Sequence, residues 1–255
     1  QGSSVSYYIA GGNMGYAFSP IVLVAFTAHF DLTALPWLIL PSLLLAFLYW
    51  RSNLSSINTC SDLVSAAPVQ LRQQLLNPAI LRLNLSMGLR CWTHVSVSTF
   101  LPLLLIGAGY SAFLSGTLLT LFLIGCTIGG LIGGALGDRF RHKTIITAGL
   151  ILSFFPTCYF FLHPGTQPLS LLALFLSGAC LLAPQPSSIV WAQRLMPANT
   201  GMASGLMMGF SFGLGSIGTA ITAAVADHIG LTTALLLTSL PLLLAAAVSF
   251  LTPEK

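Results

Sequence analysis

Arg90 and His94 stand one helical turn apart in the run LRCWTHVS (89–96), whose other side chains are apolar, aromatic or hydroxylic. A guanidinium carries a planar fork of N–H donors that grips an oxyanion in a two-pronged arrangement, so this pair suits an anionic small molecule. Arg90 lies roughly 18 Å of helix rise beyond Pro78. In a segment that crosses a bilayer, an arginine so deep costs about 2.5–3.5 kcal/mol, and such residues usually face a polar cavity. The competing reading has Arg90 snorkelling to the near interface and His94 packing as a buried histidine. Trp92 joins the same candidate cavity set. Further along, Pro184-Gln185-Pro186-Ser187-Ser188 frees backbone carbonyls and brings three polar side chains into an apolar segment. Such a break is tolerated at membrane depth only where protein or water covers it. Gln185 is therefore a ligand contact or part of a packed proline kink. Asn13, the one amide beside Gly11, Gly12 and Gly15, poses the same choice.

The elements that must position these residues are membrane helices. Only 5% of the 255 residues are charged and 55% are hydrophobic, with a mean hydropathy of +0.90. A soluble domain of that composition would have far too little polar surface. Stretches of about 20 apolar residues predict eight helices at roughly 4–29, 34–50, 79–106, 111–137, 143–162, 168–192, 201–226 and 231–251. The runs are too long and continuous for barrel strands, which alternate over about ten residues. The fold class is all-α and polytopic.

Charge placement sets the orientation. With alternating spans, Arg51, Arg72, Arg82, Arg139, Arg141, Lys143, Arg194 and Lys255 fall on one side. By the excess of basic residues that side is cytoplasmic, with the C-terminus there. The opposite loops hold Asp31, Asp227, His29, His163 and His228 and no lysine or arginine. A formal charge of +4 invites a nucleic-acid reading. The basic residues are instead spread over membrane-proximal loops, where anionic lipids attract them, so the bilayer is the expected partner and nucleic acid is not.

Between 134 and 143 the chain reads GALGDRFRHK, an apolar helix running into one aspartate and a basic cluster. The pattern Gly134, Leu136, Asp138, Arg139, Lys143 resembles the loop motif of the major facilitator superfamily, which joins the second and third helices of each six-helix bundle. Arg141 stands where that motif usually has a second glycine. The stretches ArgCysTrp (90–92), SerThrPheLeuPro (98–102), AlaGln (192–193) before MetPro (196–197), GMASGLMMGFSFGLGSIG (201–218), AlaAspHis (226–228) and GGNMG (11–15) with Pro20 are similar to the fosmidomycin resistance protein family. Arg194 departs from the acidic residue common there. The resemblance implies a multi-pass exporter of a phosphonate antibiotic in a bacterial inner membrane, driven by protons; a monomer is expected. It also gives Asp138 a role as a latch, its carboxylate near the amino end of another helix, here the first span. The alternatives are a metabolite or sugar-phosphate carrier of the same fold, and a membrane fragment that transports nothing.

Gly11 and Gly15 fall opposite Gly209 and Gly213, and Leu40-Pro41 opposite Leu240-Pro241, a period of about 200 residues that fits two six-helix halves. On this reading 1–51 form the last two helices of a first bundle, 52–78 a cytoplasmic link with a short helical stretch at 69–76, and 79–255 a second bundle of six. Four preceding helices are expected in a twelve-helix parent, and any proton-coupling carboxylate with them. Gly125, Gly129, Gly133 and Gly137, and again Gly201, Gly205, Gly209 and Gly213, make smooth helix faces, either static packing surfaces or surfaces on which bundles rock. The cysteines form no CxxC pair and read as small buried hydrophobes. No Walker-type loop, HExxH or metal-ligand cluster occurs; no cofactor, metal or enzymatic reaction is expected, and an ATP-driven pump or membrane protease is unsupported.

Overall fold

The computed structural model describes residues 2–30, 32–52 and 77–253. Most of the expected link, its helical stretch, and Asp31, Cys60, Arg72 and Lys255 lie outside them. Ten α-helices follow among the described residues: α1 (Gly2–Phe30), α2 (Ile39–Arg51), α3 (Pro78–Gly107), α4 (Ala112–Gly137), α5 (His142–Leu162), α6 (Pro168–Leu182), α7 (Pro184–Leu195), α8 (Thr200–Ile229), α9 (Leu231–Leu237) and α10 (Leu240–Phe250). No strand occurs among them.

Local chemistry sets the boundaries. Asn77 Oδ1 accepts from the Ala79 N–H at 3.0 Å, and Pro78 occupies the first turn of α3, where its missing N–H costs nothing. Ser111 caps α4 by accepting from the Leu114 N–H. Gly109 (φ +90°) and Gly230 (φ +86°) make the turns into α4 and α9, a conformation that side chains disfavour.

Three expected spans are composite. The helix expected over 168–192 breaks at Ala183, because Pro184 and Pro186 cannot donate to the preceding turn. The last span breaks ahead of Pro241, where Thr238 and Ser239 hydroxyls bond back to the carbonyls of Leu235 and Leu236, both at 2.6 Å. The second span opens as a 3₁₀ turn over Leu32–Leu38, which contains Pro36. Among the described residues, seven helices are long and apolar enough to cross a membrane: Thr33–Arg51, Pro78–Gly107, Ala112–Gly137, His142–Leu162, Pro168–Leu195, Thr200–Ile229 and Leu231–Phe250. The eighth expected span, α1, is long enough at 29 residues but is diluted by serine, glycine, tyrosine and asparagine.

α3 packs along α8 and α10, α4 lies between α1 and α6, and α5 fills the space between α6 and α10. Phe122, Phe160, Phe161, Leu83, Leu101 and Leu181 are fully buried at the centre. Apolar burial between helices gains little in lipid, so polar clasps and close backbones must add specificity. Ser86 donates to the Ala245 carbonyl at 2.8 Å and Thr93 to the Thr238 carbonyl at 2.6 Å, tying α3 to the last span. Thr157 and Ser177 share a 2.6 Å hydroxyl contact between α5 and α6. Arg82 Nη1 donates to the Leu251 carbonyl at 3.1 Å, and Lys143 Nζ lies 5.0 Å from the Phe250 ring centroid. These contacts gather basic residues of α3 and α5 around the close of α10, at one end of the bundle.

Candidate substrate cavity

Arg90, His94 and Ser98 recur every fourth residue and so share one face of α3. That face borders a cavity of about 350 Å³. Its walls bring together Arg90 and His94 from α3, Gln185 from the proline break, Asn13 and Tyr16 from α1, Cys126 from α4, and Phe212 from α8. Four of the five cavity residues expected from sequence therefore meet in one place, although they span 172 positions from Asn13 to Gln185.

Arg90 is 3% exposed. Its Nη1 donates to the Leu181 carbonyl at 3.1 Å, while Nε has no partner among the described residues. No carboxylate pairs with it among those residues. Leu181 sits in the last turn of α6, just ahead of Pro184 and Pro186, whose missing N–H groups leave the Cys180 and Leu182 carbonyls without their helical donors. The main chain beside the break supplies an acceptor to a cation, a contact that no side chain in the sequence announces. His94 stacks on Phe122 with centroids 5.9 Å apart and planes inclined by 29°. The Ser98 hydroxyl donates to the His94 carbonyl at 2.8 Å. Ser98, Tyr16 and Cys126 were absent from the sequence-based set; only Ser98 carried a signal, its four-residue spacing from His94.

Trp92 does not belong to the cavity. Two residues along a helix turn by about 200°, so it points away from the Arg90 face. Its indole N–H donates to Thr222 Oγ1 at 2.9 Å, and the ring fills the space left by the missing side chain of Gly218 on α8. It is an inter-helix anchor.

The glycine series also part company. A Cβ on Gly125, Gly129 or Gly133 would run into the carbonyls of Phe175, Ala179 and Ala183, and one on Gly137 into Ser187 Oγ. This face is occupied by α6 and α7, which leaves it no room as a sliding surface. By contrast, Gly11, Gly12, Gly15, Gly201, Gly205, Gly209 and Gly213 have nothing within 4 Å of an added Cβ among the described residues.

α1 and α4 run antiparallel. A Cβ on Gly116, near the start of α4, would lie 3.4 Å from Val24 Cγ2 and 3.6 Å from the Pro20 carbonyl. Toward the other end, Asn13 and Tyr16 share the cavity wall with Cys126 and Leu123. Continued one residue for one residue, this register carries the first turn of α1 to the close of α4, where Asp138 is the C-cap. Gly134, Leu136, Arg139, Arg141 and Lys143 surround that junction.

The Major Facilitator Superfamily sequence model matches residues 1–219 and 83–255. The chain is 26% identical over 234 residues to the fosmidomycin resistance protein of Escherichia coli (strain K12), covering 89% of this chain and 57% of that protein. It is 35% identical over 134 residues to the uncharacterized MFS-type transporter YfnC of Bacillus subtilis (strain 168), covering 52% of this chain and 32% of that protein. Among solved structures, the MFS transporter FucP in its outward conformation superposes with a TM-score of 0.63 at 17% identity, covering 74% of this chain and 46% of that one. The chain thus spans little more than half of the first relative, and less of the others.

Proposed function

Because the chain belongs to the Major Facilitator Superfamily, a family of multi-pass membrane transporters, we propose that it carries the substrate cavity of a secondary exporter of small anionic compounds. The carrying observation is Arg90: a buried cation on the cavity wall that donates to a carbonyl and pairs with no carboxylate among the described residues. An unneutralised charge at membrane depth is costly, and a substrate anion offsets that cost when it binds. The resistance protein among its relatives makes a fosmidomycin-like phosphonate the first candidate substrate. Proton antiport is the proposed drive. Gln185 and Asn13 supply amide contacts beside the guanidinium, and His94, stacked on Phe122, supplies a ring nitrogen. A sugar-phosphate or metabolite carrier would use the same fork.

We further propose that the basic end faces the cytoplasm of a bacterial inner membrane, in keeping with the basic-residue bias, and that 79–255 act as one bundle while 1–51 belong to another. Expression in a drug-sensitive bacterium tests export; unchanged tolerance to every compound tried would sink it. The site is tested by Arg90→Gln, expected to weaken binding of anionic compounds by about 1.5–3 kcal/mol, the worth of a hydrogen bond to a charged group. Arg90→Lys should recover only part, because a point charge replaces the fork. Neutral compounds should be spared. Equal losses for neutral and anionic ligands would mean that Arg90 serves folding alone.

A further inference from the structure

At the basic end, α5 and α10 leave an outward-facing groove of about 430 Å³, distinct from the central cavity. Arg141, Lys143 and Thr144 form its mouth, in and just before the first turn of α5. Its wall continues through Thr147, whose hydroxyl is turned to Ser249 Oγ at 3.4 Å, then Ala148 and Ile151, and across to Phe250 at the close of α10. The mouth therefore holds two cations and a hydroxyl, and the lining includes no aspartate or glutamate. Lys143 Nζ stands 5.0 Å from the Phe250 ring centroid, which holds the ammonium over the groove. Arg141 is also the N-cap of α5, so the positive end of that helix dipole lies at the same mouth. Away from the charges the character changes. Ile151, 42% exposed, lies roughly 12 Å of helix rise below Lys143, while Phe250, 65% exposed, joins this wall to the mouth beside the Lys143 ammonium.

We propose that this groove binds an anionic phospholipid, with its phosphate at Arg141, Lys143 and Thr144 and an acyl chain along Ala148, Ile151 and Phe250. The charge selects a phosphate, and the apolar wall beyond it selects a lipid over a free phosphate ion. The assignment rests on the reading of α5 and α10 as membrane-embedded. It is independent of Arg90, so either site can fail alone.

Native mass spectrometry of the full chain, released from detergent with phosphatidylglycerol or phosphatidylcholine at equal concentration, reads the site directly. Phosphatidylglycerol adducts should be retained over phosphatidylcholine. Lys143→Gln should weaken their retention about fivefold, matching the usual worth of one basic residue at an anionic surface, while Lys143→Arg keeps it. Phe250→Ala should weaken it as well, and Arg194→Gln, which removes a cation outside the groove, should not. Equal retention of the two lipids overturns the proposal, as does an equal loss with Arg194→Gln, which would reveal diffuse attraction. Displacement by excess inorganic phosphate with no effect of Phe250→Ala would overturn it in favour of a free-phosphate site.

Discussion

A guanidinium that donates to one backbone carbonyl keeps most of its five N–H donors for other acceptors, and at Arg90 those donors border a cavity rather than lipid. The same helix shows how narrowly position decides role. Trp92, two residues on, faces α8 and serves packing. Trp92→Phe removes the bond to Thr222, while Thr222 keeps its own donation to the Gly218 carbonyl at 3.0 Å. The loss should be about 0.6–1.7 kcal/mol of stability, the range for side-chain hydrogen bonds between membrane helices. Thermal unfolding in detergent should show it, with the preference for anionic ligands unchanged; a lost preference would return Trp92 to the cavity. Arg90, His94, Gln185 and Asn13 were legible in the sequence because polar side chains at membrane depth are expensive and few. Trp92 was misassigned because neighbours in sequence are not neighbours on a helix. Leu181 was invisible because a carbonyl belongs to every residue and nothing in the sequence marks this one.

Two glycine runs with the same four-residue spacing have opposite surroundings, which no periodicity could distinguish. Gly129 sits against the Ala179 backbone, whereas Gly209 faces open space among the described residues. Gly129→Ala should force α4 and α6 apart and cost about 1–3 kcal/mol, as overpacking does. Gly209→Ala should be neutral or stabilising by up to about 1 kcal/mol through helix propensity alone. Parallel melting curves of the two variants in detergent check this; equal destabilisation would show that α8 is covered in solution. The span boundaries were legible because apolar runs, capping residues and turn glycines agree on them. The break after Ala183 was legible in Pro184, Pro186 and the polar residues between and after them, whereas the one ahead of Pro241 was missed because 231–251 reads as one apolar run.

At the scale of the whole molecule, Asp138 is placed where its own helix disfavours it. As C-cap of α4 it meets the negative end of that helix dipole, an arrangement that costs roughly 0.3–1 kcal/mol when exposed. A carboxylate so placed needs compensation from elsewhere. The antiparallel register of α1 and α4, fixed by Val24 beside Gly116 and by Asn13 and Cys126 on one cavity wall, runs the first described turn of α1 toward it, and we propose that this turn attracts the carboxylate. If this attraction steadies one of two access states, Asp138→Asn should impair transport in the full transporter while leaving insertion intact, since it removes charge without changing shape. Thiol labelling at Cys126, which lines the cavity, should then report a changed ratio of inward to outward states. Transport and labelling both unchanged would leave Asp138 as a boundary residue whose charge the neighbouring arginines and lysine absorb.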